Sequence, residues 1–247
     1  MAEALSPTDM PAAIATARQS LSIYQSLEDW AGQIRALRVL GLLQGHTGDL
    51  AAVKGYFDQA LDLCHKLGIF DGSAWVGALW THLLEAAGRY EEALQHALEA
   101  KRSCDLCEDH WIRATNFAQL TCLFLRAGRS AEAEEAYRMM NALFEISNSG
   151  LVGQTLVARA KGFYHGTRQE WSELEKEYET AFSLIERAIY RMSFMPALRE
   201  EYASWLLEQH RLEDARAQLQ IGLGVYKSVC NEPGAVRVQT ALDRLSS

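Results

Sequence analysis

The chain has 247 residues, 49% hydrophobic and 23% charged, enough to bury a sizeable core at the upper edge of single-domain length. Its formal net charge is −8, and a cut at Phe124 leaves 9 basic against 15 acidic residues before it and 15 against 17 after it, so neither half offers the basic surface that nucleic acid demands. No stretch approaches the ~18 consecutive apolar residues of a membrane helix, and the first twenty residues carry Glu3, Asp9 and two prolines where a secretory signal would place a basic start and an apolar run.

Five cysteines, an odd number without an even framework of spacings, fit reduced thiols better than disulfides and place the chain in the cytoplasm.

In chain order, residues 8–28 open with "TDMPAAIATARQSLSI", a lone amphipathic segment with too few residues before it to supply a helical mate. Residues 30–69 hold two segments. In "IRALRVLGLLQGHTGD" the apolar side carries Leu37, Leu40, Gly41 and Gln44, and "GDLAAVKGYFDQALDL" follows from Gly48. Spacings of three and four predict helices in both, and Gly48 suits a left-handed stop between them. Residues 70–109 repeat the plan with Gly77, Trp80, Thr81 and Leu84, then "GRYEEALQHALEA" from Gly88 with Ala93, Ala97 and Ala100 on one side. Residues 110–149 follow with Phe117, Leu120, Thr121 and Phe124, then "GRSAEAEEAYRMMNAL" from Gly128. Small residues beside large ones, Gly41 next to Leu40 and Thr81 next to Trp80, let the partner helix approach closely.

The step between these copies is 40 residues. Two looser copies are displaced by 41: "QEWSELEKEYETAFSL" from Gln169, within residues 150–190, and "HRLEDARAQLQIGLGV" from His210, within residues 191–230. In the first of these Lys161 and His165 take slots that are apolar elsewhere, and Gln169 replaces the glycine. Residues 232–246 add a closing helix that begins near Pro233 and lines up Val238, Leu242 and Leu245. A fixed period of this size predicts stacked helix pairs, each unable to bury its apolar face alone.

The order large, Leu, small, bulky, Gly, aromatic, Ala resembles the tetratricopeptide (TPR) repeat. It reads Leu37, Leu40, Gly41, Gly48, Leu50, Val53, Phe57, Ala60 in the first copy and Phe117, Leu120, Thr121, Gly128, Ser130, Ala133, Tyr137, Met140 in the third. The closing proline of the 34-residue repeat is absent, and the longer step resembles the arrays of maltose-regulator-type activators and related bacterial signalling ATPases. The resemblance covers nearly the whole chain. It implies an all-α, right-handed solenoid of antiparallel helix pairs forming a single domain over residues 1–247: five repeats, an N-terminal half-repeat and a capping helix. The unmatched N-terminal helix leaves an apolar flank, expected to continue into a longer protein or to meet another subunit.

Site candidates meet bland readings first. "SCDLCEDH" spaces Cys104, Cys107 and His110 as part of a zinc site, but Cys104 takes the slot of Cys64, Phe144, Ile185 and Tyr226, and Cys107 that of Leu67, Ser147, Ala188 and Val229. Both cysteines therefore read as small core residues, and no metal is expected. Asp62 and His65 lack the matching acidic-x-x-His pair of a di-iron site. The charge run "EWSELEKEYE" keeps Leu174, Tyr178 and Ala181 on its packing face, and His165 reads as a hydrogen-bonded core histidine. With no phosphate loop, nucleophile elbow or HExxH, no catalytic residue and no cofactor is expected.

The TPR resemblance further implies that first helices line a concave groove. Carried across, its positions are Arg35, Arg38, Leu42 and His46; Trp75, Leu79, His82 and Glu85; Thr115, Gln119, Cys122 and Arg126; Arg159 and Phe163; and Glu200, Glu201, Ser204 and Glu208. Polarity drifts from basic to acidic along this series. The basic and asparagine residues that clamp a terminal carboxylate in chaperone-binding TPR domains are not reproduced, since Leu42, Leu79 and Thr115 stand at three of those places. The expected role is a protein-interaction scaffold that takes a protein or peptide in the groove, as an arm of a larger bacterial regulator. The alternatives are a sensor of a small molecule or short signalling peptide and, less favoured, an all-α metal-dependent enzyme.

Overall fold

A computed structural model describes residues 10–147, 150–188 and 191–245, without the side chains of residues 191–193. The expected boundaries at residues 8, 149, 190 and 246 lie outside the described residues. Among those described there are twelve α-helices and no strand. They are α1 (Met10–Ser26), α2 (Trp30–Thr47), α3 (Leu50–Leu67), α4 (Phe70–Ala86), α5 (Tyr90–Cys104), α6 (His110–Arg126), α7 (Ser130–Glu145), α8 (Leu151–Thr167), α9 (Trp171–Glu186), α10 (Arg191–Glu208), α11 (Leu212–Ser228) and α12 (Glu232–Arg244). The chain is an all-α protein built of repeated helix pairs, the architecture of the helical solenoid class.

The local chemistry that starts and stops these helices is visible in the chain. Asp29, Asp109 and Asn231 cap α2, α6 and α12 by accepting hydrogen bonds from the backbone N–H of Gly32, Trp111 and Gly234. The turn inside a helix pair needs one left-handed residue, supplied by Gly48, Gly88 and Gly128 at φ between 68° and 81°. Gln169 and His210 adopt the same conformation, at φ 59° and 60°, in the two looser copies. The turn geometry is thus kept where the glycine is not, at a cost of order 1–2 kcal/mol per residue.

Packing within three of the pairs follows a complementary rule. A Cβ on Gly41 would lie 2.2 Å from the Phe57 ring, and one on Gly162 would lie 2.9 Å from that of Tyr178, so each aromatic ring rests on bare backbone. Where the first helix carries Thr81 instead, the second carries Ala97, and both are fully buried. Volume is conserved by trading it across the interface.

The chain divides into two units, one made of the described parts of Met1–Ala60 and Ile189–Ser247, the other of Leu61–Ala188. In the second, α4 packs on α5, α6 on α7 and α8 on α9, and the first helices meet in the order α4, α6, α8. In the first, α1 packs on α2, with the Tyr24 ring against Gly32; α10 packs on α11 and α11 on α12. Helices from the two ends of the chain meet there: α2 touches α10, and a Cβ on Gly48 would lie 2.9 Å from Asn231 Oδ1 and 3.3 Å from Pro233 Cγ. Ala13 and Ala17 of α1 are buried, whereas Ile23 and Leu27 are exposed. Among the described residues no helix is long and apolar enough to cross a membrane.

Candidate functional site

The second unit concentrates buried polar chemistry at equivalent positions of α4, α6 and α8. Leu79, Gln119 and Arg159 stand at matching positions, one repeat apart, and all three are buried. Gln119 donates from Nε2 to the backbone carbonyl of Ala78 at 2.8 Å, binding α6 to α4. Its Oε1 and the hydroxyl of Thr115, one turn earlier, are buried without a hydrogen-bond partner, an arrangement that leaves acceptor capacity unspent.

Arg159 of α8 reaches past α6 to Glu85, the penultimate residue of α4. The guanidinium donates twice, at 2.8 and 3.1 Å, and the two side chains are only 10% and 3% exposed. Neither charge faces open groove as expected from the sequence: they are spent on each other. One turn beyond Arg159, Phe163 is buried, and the exposed Arg126 lies between two rings, 4.6 Å from the centroid of Phe163 and 4.4 Å from that of Tyr90. His82 is buried. Trp75 is half-buried and packs edge-on against Trp111 at 4.6 Å, over an apolar cluster of Ala74, Cys104, Cys107 and Ile112. Burial pushes the thiols of Cys104 and Cys107 up to about 12, so both stay protonated as small apolar residues.

In the first unit Arg35 is exposed, Arg38 half-buried, and Leu42 and His46 are buried. Burial lowers the His46 imidazole from 6.5 to about 4, so it is neutral near pH 7 and adds nothing to the basic end of the groove. Glu200 is committed elsewhere. It accepts hydrogen bonds from Tyr226 of α11 at 2.6 Å and from Arg237 of α12, twice, at 2.8 Å, which pins the closing helix to α10. Burial and then the charge of Glu200 push the Tyr226 phenol upward. Glu201 is buried and Glu208 exposed. Because α2 touches α10 within this unit, the helix of Arg35 and Arg38 neighbours the helix of Glu200, Glu201 and Glu208.

Of the eighteen positions carried across for the groove, Leu42, His46, Leu79, His82, Glu85, Thr115, Gln119, Cys122, Arg159, Phe163 and Glu201 are buried, while Arg35, Arg126, Ser204 and Glu208 are exposed. Tyr90, Trp111, Tyr226 and Arg237 take part in these arrangements without having been singled out for them. Tyr90 stood in the repeating Gly-x-aromatic motif, but Arg237 lies beside the packing face of the closing helix and carries no periodic signal.

No family model and no curated protein sequence matches the chain. Solved structures do. BtubC (BKLC) from P. vanneervenii is similar over 96% of this chain and 91% of its own, with a TM-score of 0.56 at 18% identity. A Rap protein complexed with competence and sporulation factor is similar over 97% of this chain and 71% of its own, with a TM-score of 0.57 at 16% identity. At such identities the likeness concerns the fold, and it makes this chain a helical repeat protein.

Proposed function

We propose that the chain is a recognition module that takes a peptide, or a peptide segment of a protein, along the first helices α4, α6 and α8 of its second unit, as an arm of a larger bacterial signalling or transcription regulator of the long-repeat TPR type. It acts by binding, without turnover. The observation that carries the reading is the strip of equivalent buried positions on α4, α6 and α8. A purely mechanical spacer needs apolar packing there, whereas this strip holds a buried ion pair and two buried polar groups with unspent capacity. The Rap protein of the same fold, in complex with competence and sporulation factor, supports the same reading. A second role, sensing a small molecule or short signalling peptide, is favoured by the burial of eleven of the eighteen groove positions, which suits a narrow ligand better than a folded partner.

Peptide display against the whole chain, followed by calorimetry on the enriched sequence, tests the proposal. Arg126→Ala should weaken that peptide at least tenfold, a loss of about 1.4 kcal/mol, while the chain stays folded with only a small fall in Tm from the lost contacts with the Tyr90 and Phe163 rings. A selected peptide that binds the variant as tightly as the parent, or a display that enriches nothing, would end the reading.

A further inference from the structure

We infer that Arg159 is a carboxylate-receiving subsite, and that Glu85 fills it as an internal stand-in for the ligand. The inference rests on the peptide-binding reading and adds the chemistry the peptide must carry.

Glu85 and Arg159 are 74 residues apart, on helices that flank α6, yet they meet through two parallel hydrogen bonds in a nearly dry site. Such a pair does little for stability, since apolar side chains of similar volume hold two helices together as well or better. A buried guanidinium does what apolar groups cannot: it receives a planar carboxylate with defined geometry. The surroundings match that use. Gln119, at the equivalent position of α6, presents Oε1 as a buried acceptor with no donor, and its orientation is set because its Nε2 already donates to Ala78 O. A buried acceptor with no donor, on the helix between those of Glu85 and Arg159, is what a peptide N–H needs. Arg126, on the ring face of Phe163 one turn from Arg159, adds an exposed cation to the buried one. Exchange conserves charge: one carboxylate enters as Glu85 rotates out from the end of α4, so Arg159 is never left buried and unpaired. Because Glu85 is tethered beside its site, a competing ligand must bring further contacts of its own.

The test uses the whole chain with Glu85→Ala, Glu85→Gln and Glu85→Ala/Arg159→Met variants. Sodium acetate should raise the Tm of Glu85→Ala saturably, at a concentration at least tenfold below any effect on the wild type, while sodium chloride of equal ionic strength should not. The double variant should lose the response. A folded Glu85→Ala chain that melts identically in the two salts, or a double variant that still responds to acetate, overturns the inference. Should Glu85→Ala fail to fold, Glu85→Gln keeps the shape of the site and the probe becomes acetyl-trialanine with a free carboxylate. It should bind at least tenfold tighter than to the wild type, and equal affinity overturns the inference. Trialanine amide and acetyl-Ala-Asp-Ala amide, run beside it, tell a terminal from a side-chain carboxylate. If a displayed peptide binds the wild type and Arg159→Gln equally, the subsite falls and peptide binding stands. If acetate fills Glu85→Ala but no peptide binds the wild type, the subsite stands and peptide binding falls.

Discussion

Glu85→Ala should be far more damaging than removal of the whole ion pair. The single change leaves the Arg159 guanidinium buried without its carboxylate and is expected to cost about 3–5 kcal/mol, whereas Glu85→Leu with Arg159→Met should stay within about 1 kcal/mol of the parent. Urea unfolding of the three chains checks this, and equal losses for single and double variants would show the pair to be wetter than it is here. His46 makes a pH prediction of definite sign. Its folded value of about 4 lies below the 6.5 of the unfolded chain, so the unfolded state takes up the proton first. Stability is therefore full above pH 6.5 and declines as pH falls toward 4, by up to roughly 3 kcal/mol. His46→Gln should flatten that part of the profile; an unaltered slope would refute the assignment. The cysteines give a third test. Cys64, Cys104, Cys107 and Cys122 are buried and Cys230 is exposed, so a thiol reagent should titrate one group quickly in the native chain and all five in denaturant. Two fast native thiols would contradict the packing around Cys104 and Cys107. At this scale the slot comparison already indicated core cysteines, but nothing in the periodicity paired Glu85 with Arg159.

Between elements, the trade of volume between α2 and α3 is open to exchange. Gly41→Thr should destabilise the chain by about 1–3 kcal/mol, because the new side chain enters the space of the Phe57 ring. Adding Phe57→Ala recreates the Thr81 and Ala97 arrangement of the next repeat and should recover much of that loss. A double-mutant cycle with no coupling would show that the two positions do not share one slot. The closing helix depends on a different device. Glu200→Gln weakens the hold of Arg237 and Tyr226 and should speed amide exchange in Glu232–Arg244 ahead of the other helices. Helix positions and the glycine turns after α2, α4 and α6 were legible because apolar spacing and left-handed stops are written locally. Gln169 and His210 show the limit of that legibility: the turn survives where tertiary packing, not the residue type, enforces the conformation.

For the molecule as a whole, the meeting of α2 with α10 and of Gly48 with Asn231 couples parts of the chain that are remote in sequence. Deleting Glu232–Arg244 should therefore raise amide exchange in α2 as well as in α11, and an α2 indifferent to the deletion would show that this contact carries no stability. The sequence by itself determined that the protein is all helical, that its helices come in pairs, which face of each is apolar, and that Cys104 and Cys107 pack as core. These follow from spacings of three, four and about forty, because a helix must hide its apolar stripe on the nearest partner. Only the tertiary structure decided which inward positions stay open and which close on one another. The small rotation of each repeat against the next sets how near α4 comes to α8, and it arises from side-chain packing summed over several interfaces, which no single repeat encodes.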